Sequence, residues 1–414
     1  MNNPDVIIIG GGAAGALAAI TAAEQKKRVL IIERNEKPLR KLGITGKGRC
    51  NLTNNSDVDT ILKNIKTNPR FLQSALNGFT SADTMAFFET LGVRLKTERG
   101  NRVFPVSDDA FEVVGALIKR LNILGVEIIT DRALSLIVEN GAVRNVLTGV
   151  KCEKNTYSAP KIILATGGVS YPKTGSTGDG YKLAAEVGHK IIPPKAALVP
   201  IETQAHCAKD CSELSGLTLK NVKLFLFSAG MNKPLYSEQG ELLFTHFGVS
   251  GPLALSASCY IQDGGEYKIA IDLKPALDEK TLDARILRDF AENKNKQIAN
   301  ALGALLPKAI IPPVLSRANI PPDKQVNQIT STERARLLAV LKGFTLTVSG
   351  LRPIDEAVIT DGGVDVRQIN PKTMESKLVK GLHFAGEVMD VAAFTGGFNL
   401  QIAFSTAYAA AKED

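Results

Sequence analysis

The sequence predicts an α/β protein in which a parallel, doubly wound sheet is interrupted by a β-rich insert. Three observations predict it. Residues 6–23, VIIIGGGAAGALAAITAA, carry no charge and join a β-branched run to a small-residue run through three glycines. A second apolar run, Lys161-Ile-Ile-Leu164, enters a glycine turn at Gly167-Gly168. A third, Leu382-His-Phe384, ends at Gly386-Glu387 and leads to Gly396-Gly397 and another small-residue run. Strands that end at glycine turns before helices are the units of a nucleotide-binding sheet. Because the first and last lie far apart in sequence, the domain that holds them is discontinuous.

The N-terminal stretch has three readings. A membrane helix needs about 20 apolar residues, but β-branched residues favour a strand and three glycines break a continuing helix. A secretory leader begins with basic residues, and this chain begins Met-Asn-Asn-Pro-Asp. A phosphate cradle accounts for every part. A strand over 5–9 ends in the fingerprint Gly10-x-Gly12-x-x-Gly15, followed by a helix over 13–25. Gly10 permits the tight turn, Gly12 a close approach to a pyrophosphate, and Gly15 close packing of helix on strand. Backbone N–H groups of Gly12, Ala13 and Ala14 at the helix start then face the phosphates. A second strand, 28–32, ends at Glu33, whose carboxylate suits ribose hydroxyls.

The fingerprint does not distinguish NAD from FAD, since both contain ADP-ribose. The continuation favours FAD. Residues 41–54, KLGITGKGRCNLTN, form a glycine-rich loop with three cations, suited to an elongated anionic ligand. The helix expected from Gly396-Gly397-Phe398-Asn399 to about Ala411 adds a second positive helix end, which stabilises charge on a reduced flavin.

Length and composition frame the rest. The chain has 414 residues, a net charge of +8 and five cysteines. Scattered, odd-numbered cysteines argue against a disulfide framework and for a reduced, cytoplasmic setting. The positive charge is spread without a block of like residues, so charge alone does not call for nucleic acid. The boundaries read from composition are 1–194 and 346–414 for the nucleotide domain, 195–280 for a β-rich subdomain and 281–345 for a helical part. Within them, 108–123 is expected to be an amphipathic helix before a strand at 126–130. The insert should hold strands at 222–227 and 267–273, and helices at 281–306 and 333–342. Pro307, Pro312, Pro313, Pro321 and Pro322 are expected to mark connections.

Taken together, the fingerprint, Ile44–Asn54, Arg102–Pro105, ATGGVSYPKTGSTGDGY (165–181), GELLFTHFGVSGP (240–252) and GEVMDVAAFTGGFNLQ (386–401) resemble a family of bacterial FAD-dependent flavoproteins. Its members are variously named aminoacetone oxidase-like proteins and bile-acid dehydroxylation-type NAD(P)/FAD-dependent reductases. The resemblance runs nearly end to end. It implies a Rossmann-like FAD-binding domain with Gly10, Gly12, Gly15 and Glu33 on the ADP half, flanked by Arg34 and Lys41. It places Gly46, Lys47, Arg49, Cys50 and Asn51 along the phosphates and ribityl chain. Ala165, Thr166, Gly167 and, after the 126–130 strand, Ala133 fall on the adenine side. Gly386 and Glu387 fall near the pyrophosphate, and Gly397, Asn399 and Leu400 near the flavin ring. Phe398 stands where relatives often carry tyrosine.

Three residues are candidates for acid–base or thiol chemistry: His246 in the insert, Tyr171 after the glycine turn, and Cys50 between Arg49 and Asn51. His206 with Cys207 and Cys211 lacks the ligand set of a zinc site, and no metal is expected. The expected activity is an FAD-dependent oxidoreductase with non-covalent flavin and a small-molecule substrate. It works either as a reductase fed by transiently bound NAD(P)H or as an amine-type oxidase. A flavoprotein acting on tRNA and a binding protein without turnover are the alternatives. No membrane partner is expected, and the oligomeric state stays open.

Overall fold

The computed structural model describes residues 4–262 and 264–412. They form two compact units, one containing the chain up to Ala197 and again from Ile354, the other Leu198–Pro353.

The first unit is built on a five-stranded parallel sheet. Strand β1 (Val6–Ile9) lies between β2 (Val29–Glu33) and Lys161–Leu164, with Glu127–Thr130 outside β2 and Leu382–Phe384 at the other edge. Every residue of β1 and β2 is buried, as a sheet covered on both faces requires. Helix α1 (Ala13–Glu24) buries Ala14 to Ala22, and the C-terminal helix Phe398–Ala411 packs along it. Both helices are rich in alanine, which lets them approach closely. The amphipathic helix forms at Ala110–Ile123, capped by Asp109. An antiparallel layer follows, with Ala133–Glu139 and Thr156–Ser158 flanking Asn145–Cys152.

Two buried histidines sit at the sheet edge, His383 within its last strand. His189 Nε2 lies 2.8 Å from Ser376 Oγ and its ring meets Phe384 edge-on at 4.9 Å. His383 Nδ1 lies 3.0 Å from Thr373 O. Burial holds both imidazoles neutral, pushed down to about 4. An unfolded chain takes up these protons near the usual value of about 6.5, so it binds more protons than the folded one between those limits. Stability is therefore complete above about pH 6.5 and falls as pH drops towards 4. Urea midpoints across that range check it. His189→Phe is expected to flatten the decline, and an unchanged profile would refute the assignment.

The second unit is a closed six-stranded barrel in the order Ile201–Thr203, Gly248–Ser250, Tyr236–Thr245, Thr218–Ser228, Tyr267–Asp272 and Phe344–Leu351. Its core holds Leu224, Leu226, Phe244, Ile269, Ile271 and Phe344. The unit runs to Pro353, beyond the expected boundary at 345, because Phe344–Leu351 closes the barrel against Ile201–Thr203.

The helical part also differs from expectation. The helix expected over 281–306 stops at Glu292, where Asn293 caps it and donates to Asp289 O at 2.7 Å. A separate short helix begins at Ile298, keeping the apolar spacing in register across the break. Pro312 and Pro313 do not connect elements. They occupy the first turn of Ile311–Ala318, where a missing N–H costs nothing. The other expected helix forms at Ser331–Lys342, opened by a Thr330–Glu333 capping box.

A candidate nucleotide and flavin site in the first unit

At the end of β1, Gly10 takes φ of +104°, where side chains are strained. A Cβ on Gly15 would stand 1.9 Å from Gly10 O, so helix and strand meet only because that side chain is absent. Gly12 is different. It precedes α1 in extended backbone, no side chain caps the helix, and a Cβ there would meet nothing within 4 Å. The helix end therefore opens onto free space with unpaired N–H groups and partial positive charge.

Glu33 stands beside this opening, buried. Its Oε2 accepts from Gly11 N at 2.8 Å, and its Oε1 from Asn35 N and Nδ2, both at 2.8 Å. Oε1 is thereby filled, whereas Oε2 keeps a further lone pair for a hydroxyl. Asn35 Nδ2 also donates to Thr174 O at 3.2 Å, which places the Tyr171–Thr174 turn on the Glu33 side. Tyr171 adopts φ of +52° and is partly exposed. Arg34 binds Thr177 and Asp179, and Arg132 binds Asp179 at 2.9 Å. Ala133, buried, starts the next strand.

A half-buried polar network joins the distant parts of the sequence. Lys41 Nζ donates to Ser170 Oγ at 2.7 Å and to Glu387 Oε2 at 2.9 Å. Glu387 Oε1 accepts from Thr360 N at 2.7 Å and Ser170 Oγ at 3.1 Å. Thr360 Oγ1 in turn accepts from Val169 N and Ser170 N at 2.9 and 3.2 Å. Lys41 and Glu387 are sequence candidates; Ser170 and Thr360 were missed. Ser170 lies inside the quoted ATGGVS string, whereas Thr360 has no local signal. Ala165 is buried at the end of its strand, Gly167 turns with φ of +70°, and Thr166 Oγ1 is buried without a hydrogen-bond partner among the described residues.

The cationic loop is more tied down than its composition suggests. Arg49, expected along the phosphates, binds Glu98 and Asp108 and lies 4.1 Å over the Phe104 ring. Its charge is committed to that cluster. Lys47 is exposed and pairs with no group among the described residues. Asn51, with its amide oriented to satisfy the network, donates to Thr53 O and Val103 O and accepts from Gly397 N at 3.0 Å. Gly46 in the same loop takes φ of +57°.

Gly397, with φ of +97°, starts the C-terminal helix; a Cβ would stand 2.3 Å from Thr53 O. No side chain caps this helix either. Leu400 lies in its first turn, partly buried. The Asn399 side chain is spent locally, accepting from Ala393 N and donating to Ala393 O at 3.0 and 2.9 Å. It shapes the helix start through the backbone. Phe398 is buried, so a ring without a hydroxyl suits its place. Gly386 N donates to Thr406 Oγ1 at 2.9 Å, fixing the Gly-Glu turn to the same helix.

Cys50 departs from the thiol role considered for it. It is fully buried at φ of +59°, and burial pushes its thiol up to about 12. A neutral buried thiol is inert. Native protein is expected to leave Cys50 unlabelled by iodoacetamide at pH 8, with labelling on unfolding; mass-mapped modification of native Cys50 would refute this. His246 lies in an exposed turn of the barrel, its ring 5.0 Å from that of Phe247. Among the described residues no cluster of potential metal ligands occurs, and no helix is long and apolar enough to cross a membrane.

FAD fits the residues present. The cradle at Gly12, two uncapped helix starts, a buried acid beside the first and the unpartnered Thr166 hydroxyl match an elongated dinucleotide.

Residues 4–413 match the family described as HI0933-like protein Rossmann domain. The chain is 32% identical over 387 residues to a ribosomal RNA dihydrouridine synthase of Escherichia coli K12, covering 93% of this chain and 91% of the relative. It is 30% identical over 391 residues to a 3-dehydro-bile acid delta(4,6)-reductase of Clostridium scindens, covering 93% and 92%. In fold it is similar to a 3-ketosteroid delta1-dehydrogenase from Sterolibacterium denitrificans, with a TM-score of 0.52, 14% identity and 99% of each chain covered.

Proposed function

The chain belongs to the HI0933-like FAD Rossmann family of oxidoreductases, and from that membership we propose that it is a reductase of carbon–carbon double bonds conjugated with a carbonyl. The support is chemical. Dihydrouridine differs from uridine by saturation of the ring bond conjugated with the C4 carbonyl. A 3-dehydro steroid with unsaturation at C4 and C6 is a conjugated enone. The two relatives' names thus describe one reaction type on unlike molecules.

Bound FAD would supply the two-electron carrier. The protein's part is positional. The α1 start and Gly12 would hold the pyrophosphate, Glu33 the adenosine ribose, and the Gly397 helix start would lend positive potential to the ring. The cradle open at Gly12 is the observation that carries the cofactor reading. One complete fingerprint is present in the sequence, so a nicotinamide donor would bind transiently rather than in a domain of its own.

Ribosomal RNA is the proposed substrate. The support is the E. coli relative, which matches along 93% of the chain. A free steroid-like enone is the second reading, favoured by the C. scindens relative.

Two measurements test this. Anaerobic mixing with NADH and then NADPH should bleach the flavin band. Nucleosides from ribosomal RNA of a strain lacking the gene should lose dihydrouridine and regain it on complementation. No bleaching, with dithionite still effective, would overturn the nicotinamide-fed reductase. Unchanged dihydrouridine, with reoxidation by an enone steroid, would move the substrate to the small-molecule class.

A further inference from the structure

We propose that the outer face of the barrel is a stacking platform for single-stranded RNA, centred on Phe225 and Phe227; this rests on the ribosomal RNA reading above. In the strand Thr218–Ser228, Val222, Leu224 and Leu226 point inward and are buried. The alternate set, Lys223, Phe225 and Phe227, faces outward and is only partly covered. The two rings lie stacked, with centroids 6.3 Å apart and planes 24° from parallel. Lys223 Nζ stands 5.1 Å from the Phe225 centroid.

The neighbouring strands leave these rings room. Ala270 pairs opposite Phe225, and Lys268 opposite Phe227, with Thr347 opposite Lys268 on the next strand. Beside Phe227 lies a cavity of 450 Å³, lined also by Met231, Asn232, Tyr267, Lys268 and Thr347. Lys220, Lys223, Lys233 and Lys268 make no ion pair among the described residues. Three acids stand among them: Glu266 lines the same cavity, Asp272 opposite Lys223 is paired with Lys342 at 2.5 Å, and Glu238 accepts from the Tyr236 hydroxyl at 2.6 Å, which leaves the amines in excess.

Outward aromatic faces among cations in excess are what unpaired nucleotides require. Bases stack on the rings while amines meet the phosphates. A duplex keeps its bases stacked on one another, so the platform selects unpaired segments. Sequence preference is not expected, because every base has a π-face.

The test uses full-length, flavin-loaded protein and a fluorescein-labelled oligouridylate of about 12 nucleotides, within the span such surfaces cover. Anisotropy is read at low and moderate salt. Phe225→Ala and Phe227→Ala are each expected to weaken binding about tenfold. Phe227→Leu, which keeps apolar packing but loses the ring, should weaken it as well. Lys268→Gln, an exposed change, should weaken it a few-fold and lower the salt slope. Flavin absorbance reports folding. Wild-type affinity in all four variants, or no binding by wild type at low salt, would overturn the platform. Ribosomal dihydrouridine is scored separately. If the variants bind and modify like wild type, the platform fails and the RNA reading stands. If wild type binds through the rings yet dihydrouridine never depends on the gene, the functional reading fails and the platform stands.

Discussion

Gly12→Val is expected to give a folded, colourless protein. The backbone at Gly12, φ −80° and ψ −169°, is one that valine adopts freely, and nothing lies within 4 Å of the new Cβ. The valine methyls then occupy the space where a pyrophosphate meets the helix end. Flavin affinity should fall by more than about 100-fold, since the phosphate contacts and the helix-end charge act together. The control is Gly15→Ala. Its Cβ would lie 1.9 Å from Gly10 O and 3.1 Å from Gly10 C, and backbone cannot yield there without parting α1 from β1. That variant should be insoluble. Absorbance ratios at the flavin and protein bands decide the matter. A Gly12→Val protein purified with full flavin would remove the pyrophosphate from this position.

Gln401→Leu is expected to be the most destabilising change in the C-terminal helix. Gln401 has no exposed surface. Its Oε1 accepts from Thr53 Oγ1 and Thr84 Oγ1 at 2.6 and 2.8 Å, and its Nε2 donates to Phe79 O and Ser405 Oγ at 3.0 and 2.9 Å. Leucine fills the volume but answers none of these groups. Thr84 keeps its bond to Thr80 O, and Phe79 O keeps Ser405. The Thr53 hydroxyl is stranded in the core, and the strand joining the cationic loop loses its tie to the helix. With about 1–3 kcal/mol for each buried group left unpaired, the loss should be about 2–4 kcal/mol. Urea denaturation followed by flavin release measures it, with Thr84→Val as a milder comparison. A midpoint equal to wild type would show that the network contributes nothing.

These two residues also mark how far the sequence could be read. The open turn at Gly12 and the buried carboxylate at Glu33 were legible because they lie within one strand–helix–strand unit, where spacing constrains geometry. Gln401 appeared only as the last letter of a motif. Its partners at 53, 79 and 84 are brought to it by the fold, and nothing near it in sequence announces them. Thr360 is hidden for the same reason, since it meets Ser170 and Glu387 only after three distant segments assemble. Arg49 and Cys50 have surroundings that composition did not reveal. A cation and a thiol in a glycine-rich loop suggest a ligand, but Glu98 and Phe104 on a neighbouring hairpin, with Asp108 just beyond it, claim the first and burial silences the second. The helix expected over 281–306 failed on an ordinary ambiguity. Apolar spacing survived the interruption after Asn293, so periodicity alone did not reveal it.

The five-stranded sheet is completed by Leu382–Phe384 and covered by the helix Phe398–Ala411, both encoded after the whole barrel unit. On the ribosome, β1, β2 and their fingerprint helix must therefore wait, with one sheet edge open, while the barrel is translated. Domains generally fold as units as they emerge, so the barrel can be finished first. The nucleotide unit closes only when its last strand arrives. Cofactor capture is then a late event, and a chain interrupted before residue 382 would expose an unpaired parallel edge rather than a misfolded barrel.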